Sequence, residues 1–105
     1  MKNQFGERLD RNGYAESIVG ESRSCYVCGR TDRPVQRHEV FHGYNRTKSK
    51  NLGLWISVCD LCHGKIHHRN SEIDHWLKCR MQEIAMEHYG WSIEDFRREF
   101  GKNYI

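Results

Sequence analysis

Residues 59–68 read CDLCHGKIHH. The stretch holds a Cys-x-x-Cys pair and then three histidines, of which His63 and His67 lie four residues apart. If Cys62 opens a helix, both imidazoles project from the same helical face and can share one cation. We therefore predict a metal-binding helix directly after this pair.

A second pair lies upstream, where residues 25–28 read CYVC. Cys25, Cys28, Cys59 and Cys62 can complete a tetrahedral zinc shell with no position open to water, which is typical of a structural site. The 30 residues between Cys28 and Cys59 exceed the spacing of a simple zinc ribbon, so a segment must be inserted between the pairs. The alternative, a thioredoxin-like redox motif, uses one pair and leaves the other unexplained.

Composition favours one small domain with a metal staple. The chain has 105 residues, of which 37% are hydrophobic and 30% charged. A core this small needs reinforcement. No apolar stretch approaches the roughly 18 residues of a membrane span, and no signal peptide is recognisable. We expect a cytoplasmic protein that does not bind membranes. Its five cysteines favour metal-bound thiolates over disulfides, and Cys79 is the one to which no ligand role is assigned.

Positive charge is concentrated in the middle of the chain. Residues 37–70 carry a net charge of +4, against +1 for residues 1–36 and −2 for residues 71–105. The same segment holds five of the seven histidines. This pattern favours contact with nucleic-acid phosphates, and a solvated surface is the alternative.

Three parts are predicted along the chain. Residues 1–24 are polar, with a short helix expected at 15–19 and no readable role. Residues 25–70 combine the cysteine pairs with β-like runs at 35–41 and 54–58. Residues 71–105 are helical.

The helical part has clear start and stop signals. Ser71 with Asp74 opens the first helix and Gly90 ends it, while Ser92 and Gly101 do the same for a second. We expect the buried stripes of the two helices to be Ile73, Leu77, Met81, Ile84 and His88, widened by Trp76, and then Ile93, Phe96 and Phe100.

The histidine-rich segments resemble the HNH endonucleases. The resemblance rests on residues 37–43 (RHEVFHG), 53–55 (GLW), 59–63 (CDLCH) and 100–104 (FGKNY), and it is nearest to small HNH proteins of phages and prophages. It covers residues 25–105. It implies an α+β fold with a zinc-stapled ββα-metal (His-Me finger) core at 25–70, followed by C-terminal helices packed on that core.

The resemblance also implies an activity, the metal-dependent hydrolysis of DNA phosphodiester bonds in a bacterial host cell. His38 would act as general base with Asn45 beside it, and His63 and His67 would hold Mg²⁺ or another divalent cation, with Glu39 as an added ligand. The implied phosphate contacts are Arg37, Arg46, Lys48 and Lys65.

Departures from the family pattern leave several alternatives open. The family usually has an Asp or His directly before the catalytic His, so the pair here is either Arg37-His38, with a basic residue at the ligand position, or His38-Glu39, with a carboxylate at the base position. Leu54 stands where the middle Asn is expected, for which Asn45 or Asn51 can substitute. His68 competes with His67 as a ligand, and His42 enters the site if the first strand ends in a turn at Gly43. The second functional hypothesis is a catalytically inactive zinc-stapled module that binds nucleic acid or protein.

Overall fold

The two β-like runs pair into one antiparallel sheet in the computed structural model, which describes residues 1–105. Strand β1 is Val35–Glu39 and strand β2 is Trp55–Cys59. Val35 lies opposite Cys59, and Glu39 lies opposite Trp55. All five residues of β2 are buried, because this strand is covered on both faces.

Four helices surround the sheet. They are α1 Arg46–Asn51, which follows a 3-10 turn at Gly43–Asn45, then α2 Asp60–Ile66, α3 Glu72–Tyr89 and α4 Ile93–Phe100. The expected α+β class is confirmed, and the order along the chain places α2 directly after the sheet. No helix is both long enough and apolar enough to cross a membrane.

The predicted ends of the two C-terminal helices are confirmed. The Ser71 hydroxyl accepts the Asp74 N–H at 3.0 Å, and Gly90, with φ +68°, ends α3. Ser92 and Asp95 form a reciprocal capping box at the start of α4. These contacts satisfy backbone groups that a helix end would otherwise leave unpaired.

The predicted stripe of α3 is only partly right. Leu77 and Met81 are buried, but Trp76 is 51% exposed and His88 is also exposed. Trp76 precedes Leu77 by one residue, so it lies about 100° around the helix, on a side that no other element covers. Gln82, which the predicted stripe does not include, is buried, and its side-chain oxygen accepts the Tyr104 N–H at 2.7 Å.

An aromatic cluster joins the end of β1 to α4. The Phe41 ring lies 5.3 Å from the Phe96 ring, 4.7 Å from the Phe100 ring and 5.4 Å from the Tyr104 ring. Phe41 and Phe96 are fully buried. The cluster fixes the direction in which the chain leaves β1.

The N-terminal segment, residues 1–24, packs against the core without forming the helix expected at 15–19, so that prediction is wrong. Its backbone pairs with the core instead. The Ala15 N–H donates to the Lys50 carbonyl and the Ile18 N–H to the Gly53 carbonyl, both at 3.0 Å. At Gly53, where φ is +73°, a Cβ would overlap the Glu16 carbonyl oxygen, so only glycine lets the segment cross here.

Candidate metal centres

The four predicted cysteines converge on one point. Cys25 and Cys28 come from the loop before β1, Cys59 ends β2, and Cys62 lies in the first turn of α2. All four sulfurs lie within 4.8 Å of one another, with 3.9 Å between those of Cys28 and Cys59. Tetrahedral zinc with Zn–S bonds of about 2.3 Å requires sulfurs about 3.8 Å apart. The cluster can therefore hold a metal such as zinc, as the sequence predicted.

Backbone groups stabilise negative charge in this cluster. Burial raises the pKa of Cys25, but the backbone amides of Cys28, Cys59 and Val27 outweigh it and lower the pKa to about 6. Burial raises the pKa of Cys62 to about 12, and the neighbouring sulfurs add to the effect. Without a cation, four thiolates this close repel one another, whereas a divalent ion reverses that repulsion.

Three histidines form a second cluster. His38 lies on β1, His63 lies in α2, and His67 caps its C-terminal end. Their nearest ring nitrogens all lie within 4.8 Å of one another, and the two Nε2 atoms of His63 and His67 are 3.0 Å apart. His68 points elsewhere, with Nδ1 3.2 Å from the Arg69 carbonyl. The geometry thus groups His67, and not His68, with His63.

His38 carries an unusual atom. The residue is 2% exposed, and its Nε2 is the one buried side-chain nitrogen or oxygen with no hydrogen-bond partner. Burial, with the nearby His63 and His67 adding to it, lowers the pKa of His38 to about 4. A neutral imidazole whose nitrogen has no hydrogen-bond partner, next to two other imidazoles, can bind a cation through the lone pair of that nitrogen.

The donor set indicates which cations fit. Burial lowers the pKa of His63 as well, which favours the neutral form that binds metals. The side-chain amide of Gln36 lies 2.7 Å from His63 Nδ1. With its oxygen and nitrogen exchanged, this amide accepts the Nδ1–H of His63, which leaves Nε2 of that histidine to bind the metal. Of the divalent cations that the resemblance allows, three imidazoles without a carboxylate favour Zn²⁺ or Ni²⁺ over Mg²⁺.

Two residues expected beside His38 lie elsewhere. The Glu39 carboxylate is bound by Arg46 at 2.6 Å, and side chains alternate along a strand, so Glu39 lies on the sheet face opposite His38. Asn45 donates from Nδ2 to the Phe100 carbonyl at 3.0 Å. Neither belongs to the histidine cluster, and Asn45 ties the 3-10 turn to α4.

Most of the expected phosphate-binding residues are already paired within the chain. Arg37 contacts Asp10 at 3.1 Å and Glu21 at 3.3 Å, and its guanidinium stacks 4.4 Å from the Trp55 ring centre. Lys48 pairs with Glu99 at 3.1 Å. Lys65 is exposed and forms no ion pair, so among the predicted phosphate-binding residues it is the one whose charge is not neutralised within the chain.

One further pair adjoins the histidine cluster. The His42 ring lies 5.4 Å from the His67 ring and 5.8 Å from the His38 ring. Its Nε2 lies 3.0 Å from the Asp74 carboxylate on α3. The strand does end before Gly43, which is the condition under which His42 was expected to enter the site. Asp74 was identified only as a helix-start signal, and nothing local connects it with a residue 32 positions earlier.

Comparison with known proteins adds no family assignment, because no family model, curated protein or solved structure matches the chain.

Proposed function

We propose that the protein is a metal-dependent endonuclease of the HNH type that hydrolyses DNA phosphodiester bonds. The observation that carries the proposal is the buried, unpartnered Nε2 of His38 beside His63 and His67. The four-cysteine cluster can hold a structural metal by itself, and a binding module has no need of a second group of converging imidazoles. Such a group in a small basic domain is what a hydrolytic metal site requires.

The three histidines would hold the ion. A divalent cation bound there supplies Lewis-acid stabilisation of the charge that develops on the phosphate oxygens. The chain contributes the fixed geometry, since His38 is set by the sheet while His63 and His67 are set by α2. A neutral imidazole offers a nitrogen lone pair to a metal ion.

Geometry supports His38 as a ligand over the base role that the resemblance implied. A His38 nitrogen lies within 4.8 Å of a ring nitrogen of each of the other two histidines, so one ion can be shared by all three. His38 is also only 2% exposed, which leaves the attacking water little access to it.

Charge supports DNA as the substrate. Lys65 extends from α2 between His63 and His67 in the sequence, and Arg69 follows shortly after, both exposed and without ion pairs. Lys65, two residues from each of these histidines, projects from the other side of α2, so the free cations favour phosphate binding on the surface around the site and not at the ion itself. The reaction would take place in a reducing compartment such as the cytoplasm, where thiolate zinc ligands persist, and the bacterial host is what the resemblance implies.

The test is a plasmid-nicking assay with Mn²⁺, Ni²⁺, Zn²⁺ or Mg²⁺ against an EDTA control. We expect nicking by the wild type that is lost in His38→Ala and His67→Ala. His68→Ala is the matched control, since it removes a neighbouring imidazole outside the cluster and should nick normally. Zinc content and circular dichroism establish that each variant is folded.

A zinc-loaded, folded wild type that nicks DNA with none of these ions would overturn the proposal. The inactive binding module would then be favoured, and a mobility-shift assay would identify the nucleic acid that it binds.

A further inference from the structure

We infer that His42, held by Asp74, is the general base of this site. The inference rests on the proposed endonuclease function. Assigning His38 to the metal leaves the reaction without a group to accept the proton of the attacking water. His42 is the remaining histidine whose ring lies against the cluster.

The position of His42 suits a base better than a ligand. No His42 nitrogen belongs to the set of ring nitrogens that lie within 4.8 Å of one another. Its side chain is 35% exposed, whereas His38 is 2% exposed, so water can reach it. His42 lies between the end of β1 and the 3-10 turn, at the edge of the cluster and not at its centre.

Asp74 fixes the orientation and the proton of His42. Its Oδ1 lies 3.0 Å from His42 Nε2, while its other oxygen accepts from Lys78 Nζ at 2.9 Å. Burial raises the pKa of Asp74, but the hydrogen bonds from Lys78 and His42 lower it below its usual value. An ionised carboxylate keeps the proton on Nε2. The lone pair then resides on Nδ1, which has no hydrogen-bond partner in the chain.

A water molecule is the nucleophile of the proposed reaction. Nδ1 of His42 takes a proton from water, and the water oxygen uses the freed electron pair to form a bond to phosphorus. The bond between phosphorus and the 3′ oxygen breaks with its electron pair on that oxygen, which then takes a proton from solvent. Asp74 does not touch the substrate and is a positioning residue.

The other histidines do not fit this role. His68 bonds the Arg69 carbonyl, His75 lies 3.5 Å from the Cys79 sulfur, and His88 faces Glu7 at 3.6 Å.

The test separates proton transfer from metal binding. For His42→Ala we expect nicking to fall by about 10²–10⁴-fold. Calorimetric titration of the zinc-loaded protein with Mn²⁺ or Ni²⁺ should give the same affinity as the wild type. Added imidazole should restore part of the rate of His42→Ala. His38→Ala should behave in the opposite way, with weakened metal binding and no rescue by imidazole.

The positioning role of Asp74 is tested through kcat and KM of its variants. Asp74→Asn should lower kcat with little change in KM, and Asp74→Glu should recover part of the loss. Ser71→Ala is the control for a general effect on the start of α3, because it removes the helix cap and keeps the His42–Asp74 contact; it should nick like the wild type.

Three results would overturn the inference. Nicking by His42→Ala at the wild-type rate would exclude a base role, and a loss of metal affinity equal to that of His38→Ala would make His42 a ligand. A wild type that binds the second metal but does not nick would overturn the endonuclease proposal itself, and the inference with it.

Discussion

Replacement of Gly53 by alanine should release the N-terminal segment from the core. Residue 53 has φ +73°, and a Cβ there would overlap the Glu16 carbonyl oxygen and lie 3.3 Å from Ile18 Cγ2. The new Cβ would meet the backbone of Glu16, which cannot rotate out of the way as a flexible side chain can. Residues 14–19 must therefore move away from the loop before β2.

The cost follows from the contacts that this movement breaks. Four hydrogen bonds hold the crossing: the Ala15 N–H to Lys50, the Ile18 N–H to Gly53, the Trp55 indole N–H to Ala15, and the Ser17 hydroxyl to the Trp55 carbonyl. Each contributes about 1 kcal/mol net. An alanine in the left-handed region adds about 1–2 kcal/mol of strain. We expect the free energy of unfolding to fall by about 5–6 kcal/mol if the segment detaches and all four bonds are lost, and by less if it shifts and keeps some of them.

Gly20→Ala is the matched control. Gly20 has φ +85° in the same segment, and a Cβ there meets nothing within 4 Å. It should therefore show only the strain, about 1–2 kcal/mol. Urea unfolding of the zinc-loaded proteins measures the difference, and hydrogen exchange at the Ala15 and Ile18 amides reports detachment. If Gly53→Ala matches Gly20→Ala in stability while those amides stay protected, the crossing does not depend on glycine.

Three further predictions concern metal, pH and DNA. Cys62→Ser or a strong chelator should unfold the protein, because a structural zinc contributes about as much free energy as such a domain has in total; retention of native circular dichroism without zinc would contradict this. Burial raises the pKa of Glu7, but hydrogen bonds from Asn3 and Tyr89 lower it below its usual value. Its contribution to stability is therefore complete above about pH 4.5 and lost as pH falls, so Glu7→Gln should flatten the acid limb of the stability curve. Lys65→Ala should weaken DNA binding and reduce the slope of log affinity against log salt by about one, and an unchanged slope would remove Lys65 from the interface.

The sequence predicts features whose causes lie within a few residues. Ser71 and Gly90 delimit α3, and Ser92 and Gly101 delimit α4, because helix caps are local hydrogen bonds. The same holds for each Cys-x-x-Cys turn. His63 and His67 share a cluster because four residues make about one helical turn.

Only the tertiary structure decides which distant groups meet. Arg37 carries a guanidinium group of the kind that binds phosphate, yet Asp10, 27 residues away in sequence, forms an ion pair with it. Trp76 fits an apolar stripe and still faces outward. Asp74 meets His42 across 32 residues. Long side chains bind whatever the folded chain brings within about 3 Å, and that depends on how strands, helices and the N-terminal segment pack together. Local spacing therefore indicates which side chains are able to bind a metal and where the helices end, whereas packing settles which histidines, carboxylates and cations are left without a partner in the chain.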